Sequence, residues 1–245
     1  MSSERPAKTV AIVQSSYIPW KGYFDLIGFA DEFILYDDRQ FTRRDWRNRN
    51  RIKTPQGPRW LTVPVAAKGR YTQRIDETVV SDPQWAVRHW RTLVHAYRPA
   101  AAFEEYGPRL AEVYSELGDT DRLSAINRRL IEAVCDLLGI ETILRWSTEY
   151  GGSGSKTERL VSLCTAAGAT VYLSGPSARA YIDERLFDEA GIRLEYVDYT
   201  GYAEYPQLHP PFEHSVSILD LIFNAGAEAP RYLKSLGRDR GLRGV

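Results

Sequence analysis

Residues 9–38 restrict the fold more than any other part of the chain. "TVAIVQSS" (9–16) is a short apolar run ending in small polar residues, the pattern of a buried strand. "SYIPWKGY" follows as a turn punctuated by Pro19 and Gly22. "YFDLIGFA" then has the make-up of a short helix, and "EFILYDD" (32–38) that of a second strand ending in two acids. Two strands joined through a helix cannot close as a tight hairpin. The segment therefore predicts a βαβ unit with parallel pairing.

The same rhythm returns after residue 140. A strand over 141–148 leads to the glycine-rich loop "GGSGSK" and an amphipathic helix. The strand "TVYLSG", a helix over "PSARAYIDERLFDEAG" and the strand "IRLEYVDY" follow. Between the two α/β stretches lie a strand at 60–65 and helical spacing over 83–97, 101–117 and 120–138. In the last of these the apolar positions are Leu123, Ile126, Leu130, Val134 and Leu137. Asp82 and Pro83 are expected as N-cap and first helical position, and Gly118 and Gly139 as stops. The fold class expected is α/β: a mostly parallel, Rossmann-like sheet flanked by helices, with a helical insertion over about 83–138. One domain is expected across 1–245, with a helix near 215–225 and a frayed tail over 236–245.

Charge and cysteine use narrow the partners. The 245 residues hold 32 cationic and 32 acidic side chains, a balance that argues against a general nucleic-acid or anionic-membrane binder. Cys135 and Cys164, both in apolar helical patterns, fit a reducing compartment without a disulfide framework. The N-terminus lacks an apolar signal core and no run is long enough to span a bilayer. A cytoplasmic protein with no membrane and no nucleic-acid partner is expected. No metal is expected either, since no ligand cluster has suitable spacing.

In open parallel sheets, ligands sit beyond the carboxyl ends of strands. Gln14 ends an otherwise apolar strand there, and the turn after it offers free backbone N–H groups to an anion. Asp37 and Asp38 end the second strand and would face opposite ways, so one at most serves a site as base or hydroxyl ligand. Gly175 and Ser177 open a helix after a strand, a seat for an anion. G-x-S-x-G is not met there, because Arg179 stands where glycine is needed. The long aromatic loop 198–217 carries His209 and His214 as titratable groups. "GGSGSKT" falls short of a P-loop, having Ser155 immediately before the lysine. Cys164 reads as an inert core residue, with a thioester-forming role as the alternative.

The densest charge lies over residues 39–53, with seven cations against the single acid Asp45. Alternation in an extended strand would put Arg47, Arg49, Arg51 and Lys53 on one face and Asn48, Asn50 and Ile52 on the other. Aligned cations of this kind suit a polyphosphate or carboxylate-rich ligand.

At these residues a resemblance emerges. "VAIVQSSYIPWKGYFDLIGFADEFILYDDRQF", "WRNRNRIKTPQGPRWLTVPV", "VYLSGPSARAYI", "YPQ" and "SILDLIFNAG" together resemble the WbqC-like protein family over about residues 9–234. The resemblance implies roles in surface-polysaccharide or secondary-metabolite assembly, with transfer of acyl or aminoacyl groups onto amino-sugar-like acceptors. Its pattern falls on Gln14, Pro19, Trp20, Gly22, Tyr23, Asp37, Asp38, Gln40, Trp46, Asn48, Arg49, Asn50, Lys53, Ser174, Gly175, Tyr205, Gln207, Asp220 and Asn224. The chain departs from it around "FEHSVSILD", which leaves His214 without an implied role.

The expected function is thus a transferase using a carrier-protein or CoA thioester, the phosphopantetheine arm being the expected donor group and an acyl carrier protein the expected partner. Arg47, Arg49 and Lys53 would grip the anionic part of a small anionic or sugar-like substrate. Asp37 or Asp38 would orient or deprotonate the amine, with His209 as the other base. Gln14 and the Gly175–Ser177 turn would hold the reacting carbonyl or an anion. Trp20, Tyr23, Gln40, Asn48, Asn50, Ser174, Tyr205 and Gln207 complete the expected substrate-binding set. Two alternatives stay open: nucleotidyl transfer, because "PWKGY" is similar to an H-x-G-H turn without its histidines, and a non-catalytic module for an anionic ligand.

Overall fold

In the computed structural model, which describes residues 7–237, the first forty residues form the expected unit. β1 (Thr9–Val13) leads through α1 (Lys21–Gly28) to β2 (Glu32–Leu35). A hairpin follows, β3 (Arg49–Thr54) and β4 (Gly57–Thr62). Next come α2 (Trp85–Tyr97), α3 (Phe103–Glu116) and α4 (Leu123–Leu138). The remaining elements are β5 (Ile143–Trp146), α5 (Lys156–Ala166), β6 (Val171–Ser174), α6 (Glu184–Glu189), β7 (Arg193–Tyr196) and α7 (Ile218–Ala225).

Five strands form a parallel sheet in the order β5-β2-β1-β6-β7. The chain winds outward from β1 through β2 to β5, then returns to the other side of β1 for β6 and β7. Strand order therefore reverses between β1 and β6, the place where sheets of this type leave a crevice. Alternation sorts the side chains onto two faces. Val10, Ile12, Ile34 and Tyr172 pack on Leu160, Leu163 and Cys164 of α5 and Phe187 of α6. Ala11, Phe33, Leu35 and Leu173 belong to the larger core, with α1, α7 and the insertion helices. Among the described residues, no helix is long and apolar enough to cross a membrane.

Everything between β2 and β5 is inserted between two neighbouring strands. The expected strand near 60–65 is the second arm of the hairpin, from Gly57 to Thr62, paired antiparallel to the arginine stretch with Arg49 opposite Thr62. This hairpin stands apart from the main sheet and packs on α2, where the Tyr97 hydroxyl accepts from the Lys53 N–H at 2.9 Å. The insertion thus includes a β unit as well as the helices.

Two local readings shift. Asp82 accepts from the Gln84 N–H at 3.0 Å, so it caps a turn and α2 begins at Trp85. The segment 176–191 is not one helix but a 3-10 turn, Pro176–Ala180, followed by α6. Asp183 is extended between them, and its N–H donates to Thr157 Oγ1 at 3.1 Å. Gly139 ends α4 in the left-handed conformation, as expected. Residues 238–245 of the expected tail lie outside the described residues.

Candidate functional site

A cleft of about 1040 Å³ opens at the carboxyl ends of β1 and β6, at the reversal of strand order. Gln14 reaches it from β1; Ser174, Gly175 and Ser177 reach it from β6; Trp20 and Tyr23 come from the start of α1. The segment after β2 adds Tyr36, Arg39 and Gln40, the approach to β3 adds Arg47, and α5 adds Lys156. Tyr172, Tyr181 and Tyr199 complete the polar wall.

Most of these side chains are held in place. Arg47 Nη1 donates to the carbonyls of Gln14 at 2.9 Å and Ser15 at 3.2 Å, and the Tyr23 hydroxyl donates to the same Gln14 carbonyl at 3.1 Å. Arg39 pairs with Asp38 at 2.8 Å and lies over Tyr36 at 4.7 Å. Trp20 meets Tyr199 and Tyr202 edge-on, with ring centres 5.2 and 5.9 Å away. Lys156 differs: its side chain makes no hydrogen bond or ion pair with the described residues, and its φ of 47° is left-handed. Strain of this kind persists where the surroundings enforce it.

The lining has a clear chemical bias. Arg39, Arg47 and Lys156 are its charged members, and no Asp, Glu, His or Cys stands among the described residues that line it. Burial pushes the phenols of Tyr23, Tyr36, Tyr172, Tyr181 and Tyr199 upward, so they are neutral donors at physiological pH. The described residues of the cleft offer positive charge and hydrogen-bond donors, but no carboxylate or imidazole base.

The two expected acids sit beside the cleft, in a separate hollow of about 230 Å³. Asp37 is buried and accepts from the Ser15 N–H at 2.7 Å and from the Ser124 hydroxyl. Burial pushes its carboxyl above the ordinary range, against those donors and the Arg47 charge. Asp38 has different partners, accepting from Ser147 at 2.9 Å and Arg159 at 3.2 Å. Burial opposes its ionisation, but the bonds from Arg39 and Ser147 and the two guanidinium charges hold it below the ordinary value.

The cationic face does not converge. Of Arg47, Arg49, Arg51 and Lys53, Arg47 alone lines the cleft. Arg49 stacks on Trp60 at 4.1 Å, and Arg51 donates to the Ser215 carbonyl at 3.0 Å. Lys53 is buried and donates to Gln207 at 3.2 Å and to the Pro211 carbonyl. Each successive cation along the approach to β3 and the strand itself meets a different neighbour. Asn48 donates to the Val63 carbonyl and Asn50 to that of Ile18, both at 2.9 Å, so these amides brace the hairpin.

Tyr205 and Gln207 belong to a second buried network. Asp220 on α7 accepts from Tyr205 at 2.6 Å, Gln207 at 2.7 Å and Tyr97 at 2.9 Å. Burial raises the Asp220 carboxyl against these bonds. The network anchors the 198–217 loop to α7. His209, in the same loop, has a φ of 63° and a buried Nε2 with no partner among the described residues; it does not line the cleft. Cys135 and Cys164 are buried, and burial pushes both thiols up, that of Cys135 to about 12.

Arg39, Lys156, Tyr36 and Tyr199 are lining residues that the expected site does not include. Lys156 has a visible signal, a lysine opening a helix after a glycine-rich loop, where phosphate binding is open although the P-loop spacing fails. No residue of α2, α3 or α4 lines the cleft; α4 supports it from behind, Asn127 donating to Ser15 Oγ and to the Arg47 carbonyl, both at 2.9 Å. No group of acidic, histidine or cysteine residues able to hold a metal occurs among the described residues. A smaller chamber of about 310 Å³ adjoins the cleft and shares Val13, Trp20, Tyr23 and Arg47 with it.

No solved structure matches the chain. It is similar to the uncharacterized protein Rv1507c of Mycobacterium tuberculosis (strain ATCC 25618 / H37Rv), 59% identical over 227 residues that cover 93% of this chain and 98% of the relative. The profile of the WbqC-like protein family matches residues 14–232, a span running from Gln14 at the cleft to Tyr232 beyond α7. With a match that covers most of the chain and every strand given above except β1, the chain belongs to the WbqC-like protein family.

Proposed function

We propose that the cleft is the active site of a transferase moving an acyl or aminoacyl group from a thioester donor to the amine of a sugar-like acceptor. The observation that carries this reading is the lining: among the described residues it has three cations and several neutral donors, with no carboxylate, imidazole or thiol. An alcohol acceptor would need a base in the site, and a covalent acyl-enzyme would need an activated nucleophile. Aminolysis of a thioester needs neither. The neutral amine attacks the carbonyl carbon, the C–N bond forms as the C–S bond breaks, and the amine proton passes to the departing thiolate or to solvent. The protein's part is to hold both substrates together and to stabilise the oxyanion. Tyr199 and the Gln14 amide are the neutral donors for the carbonyl oxygen, and Arg39, Arg47 and Lys156 hold the anionic ends.

Incubating the protein with acyl-CoA or acyl-carrier thioesters and amino-sugar nucleotides tests it. Amide product should appear one-for-one with free thiol, and Arg47→Ala should remove both. Thioester hydrolysis without amide, or no turnover across the panel, counts against the reading. The same three cations suit a pyrophosphate leaving group, so nucleotidyl transfer is the second reading, marked by pyrophosphate release instead of thiol.

A further inference from the structure

The β3–β4 hairpin leaves two indoles in the open beside the cleft. Trp46 and Trp60 are 42% and 41% exposed, with ring centres 5.2 Å apart and planes tilted by 42°. Exposed aromatics gathered at one place mark a contact surface. Their surroundings are cationic. Arg49 lies 4.1 Å and Arg51 6.0 Å from the Trp60 ring centre. Residues 39–60 carry eight cations and one acid in a chain with no net charge.

This surface is not flat. Trp46 also lines the chamber of about 310 Å³, whose other walls include Pro19, Trp20 and Tyr23 and which meets the main cleft at Arg47. Arg47 Nε is buried with no hydrogen-bond partner among the described residues, and it lies 3.8 Å from the Asp45 carboxylate. A flat docking partner would leave this recess, and the guanidinium hydrogens of Arg47 that the Gln14 and Ser15 carbonyls do not take, unused. A ligand with a planar, polarisable head and an anionic chain fills both, and the volume is that of a small-molecule pocket.

We propose that the chamber and the indole pair at its mouth hold a nucleotide, with the base stacked on Trp46 and the phosphates running inward to Arg47. Base–indole stacking tolerates any base, and guanidinium groups match phosphate oxygens in pairs. The proposal stands on the hairpin geometry. It rests on the transfer reading only in that a group carried on the inner end of the nucleotide would arrive beside Gln14.

Titration with ADP, UDP, adenosine and pyrophosphate, followed by tryptophan fluorescence and by calorimetry, tests it by binding alone, so its failure leaves the transfer reading standing. At least one nucleoside diphosphate should bind saturably and more tightly than adenosine or pyrophosphate. Trp46→Leu should weaken that binding about tenfold or more, the loss expected for a stacked base. Trp60→Leu is a second exposed-site variant for the case in which Trp46→Leu misfolds. Preference for ADP points to an adenine-bearing carrier, and preference for UDP to a uridine-activated sugar. Pyrophosphate binding as tightly as the diphosphates, no binding by either nucleotide, indifference to both substitutions, or a short single-stranded oligonucleotide displacing the nucleotides at far lower concentration would each overturn the proposal.

Discussion

The Trp20 indole occupies the space where a Gly22 side chain would stand: a Cβ built on Gly22 would lie 2.3 Å from Trp20 Cζ2. No real Cβ approaches an aromatic ring that closely, so the tryptophan can lie over the first turn of α1 because residue 22 has no side chain. Trp20 lines both the cleft and the adjoining chamber, which makes this contact part of the shape of each.

Gly22→Ala should therefore push the indole out of place. Overpacking of this kind costs about 1–3 kcal/mol, and ligand binding in both hollows should fall with it. Gly175→Ala is the contrasting case. Gly175 also lines the cleft, but the atom nearest an added Cβ is Tyr199 Oη at 3.8 Å, ordinary contact, so the substitution should be nearly neutral. Thermal unfolding and ligand titration of the two variants check the difference. Equal tolerance would mean that the indole moves freely.

Lys156→Gly separates charge from scaffold. A left-handed non-glycine residue costs about 1–2 kcal/mol, so glycine should leave stability unchanged or raise it slightly. With the Lys156 ammonium making no hydrogen bond or ion pair within the described residues, its loss should weaken anion binding in the cleft about tenfold, while Lys156→Arg keeps most of it. Anion affinity by calorimetry beside a melting curve reads both. A drop in stability without a change in affinity would make Lys156 a scaffold residue.

What the sequence made legible follows from what each signal depends on. The βαβ unit at 9–38 and the return of the rhythm after 140 are local patterns of apolar periodicity and turn residues, and the parallel sheet follows from them. Gln14, Ser174 and Gly175 could be placed at a crevice because strand ends are visible in the chain. The cationic wall was not legible. Alternation fixes which side of β3 Arg47, Arg49, Arg51 and Lys53 leave from, yet their partners Gln14, Trp60, Ser215 and Gln207 lie up to 164 residues away in sequence. Asp37 shows the same limit. Its burial depends on Ser124 of α4, which no local pattern joins to the end of β2.

Asp37 and Asp38 should respond to acid with opposite signs. The Asp37 carboxyl is raised by burial, so the folded protein takes up that proton more readily than the unfolded chain. As pH rises from the ordinary value of 3.8 through the raised one, its contribution to stability falls. The Asp38 carboxyl is lowered, so its stabilisation is present above 3.8 and is lost as pH falls through the lowered value. Asp37→Asn keeps the shape, and the Ser124 hydroxyl can turn to accept. Above the raised value Asp37→Asn should match or exceed the parent in urea unfolding, with the parent gaining on it as pH falls towards 3.8. Asp38→Asn should be less stable near neutrality and converge with the parent in acid. The reverse order for either pair would mean the assigned cause is wrong.

His89 on α2 gives a third acid-sensitive contact, this one joining α2 to the hairpin. Its Nδ1 lies 2.7 Å from the Tyr17 hydroxyl and its Nε2 lies 3.1 Å from the Thr62 carbonyl, which fits a neutral ring donating from Nε2 and accepting at Nδ1. Burial lowers its pKa to about 4 from 6.5, against the pull of the Thr62 bond and with help from the Arg88 charge. Between these values the unfolded chain holds a proton that the folded protein refuses. Stability should fall as pH drops from 6.5 towards 4, by about 3 kcal/mol at most for this group. His89→Gln retains an amide donor and acceptor but cannot titrate. It should be less stable than the parent at neutral pH, where a fitted ring is lost, and should show a shallower decline in urea unfolding from pH 7 to pH 4.5. A decline as steep as the parent's would place the acid sensitivity elsewhere, and would mean that the imidazole is already accommodated in its charged form between Tyr17 and Thr62.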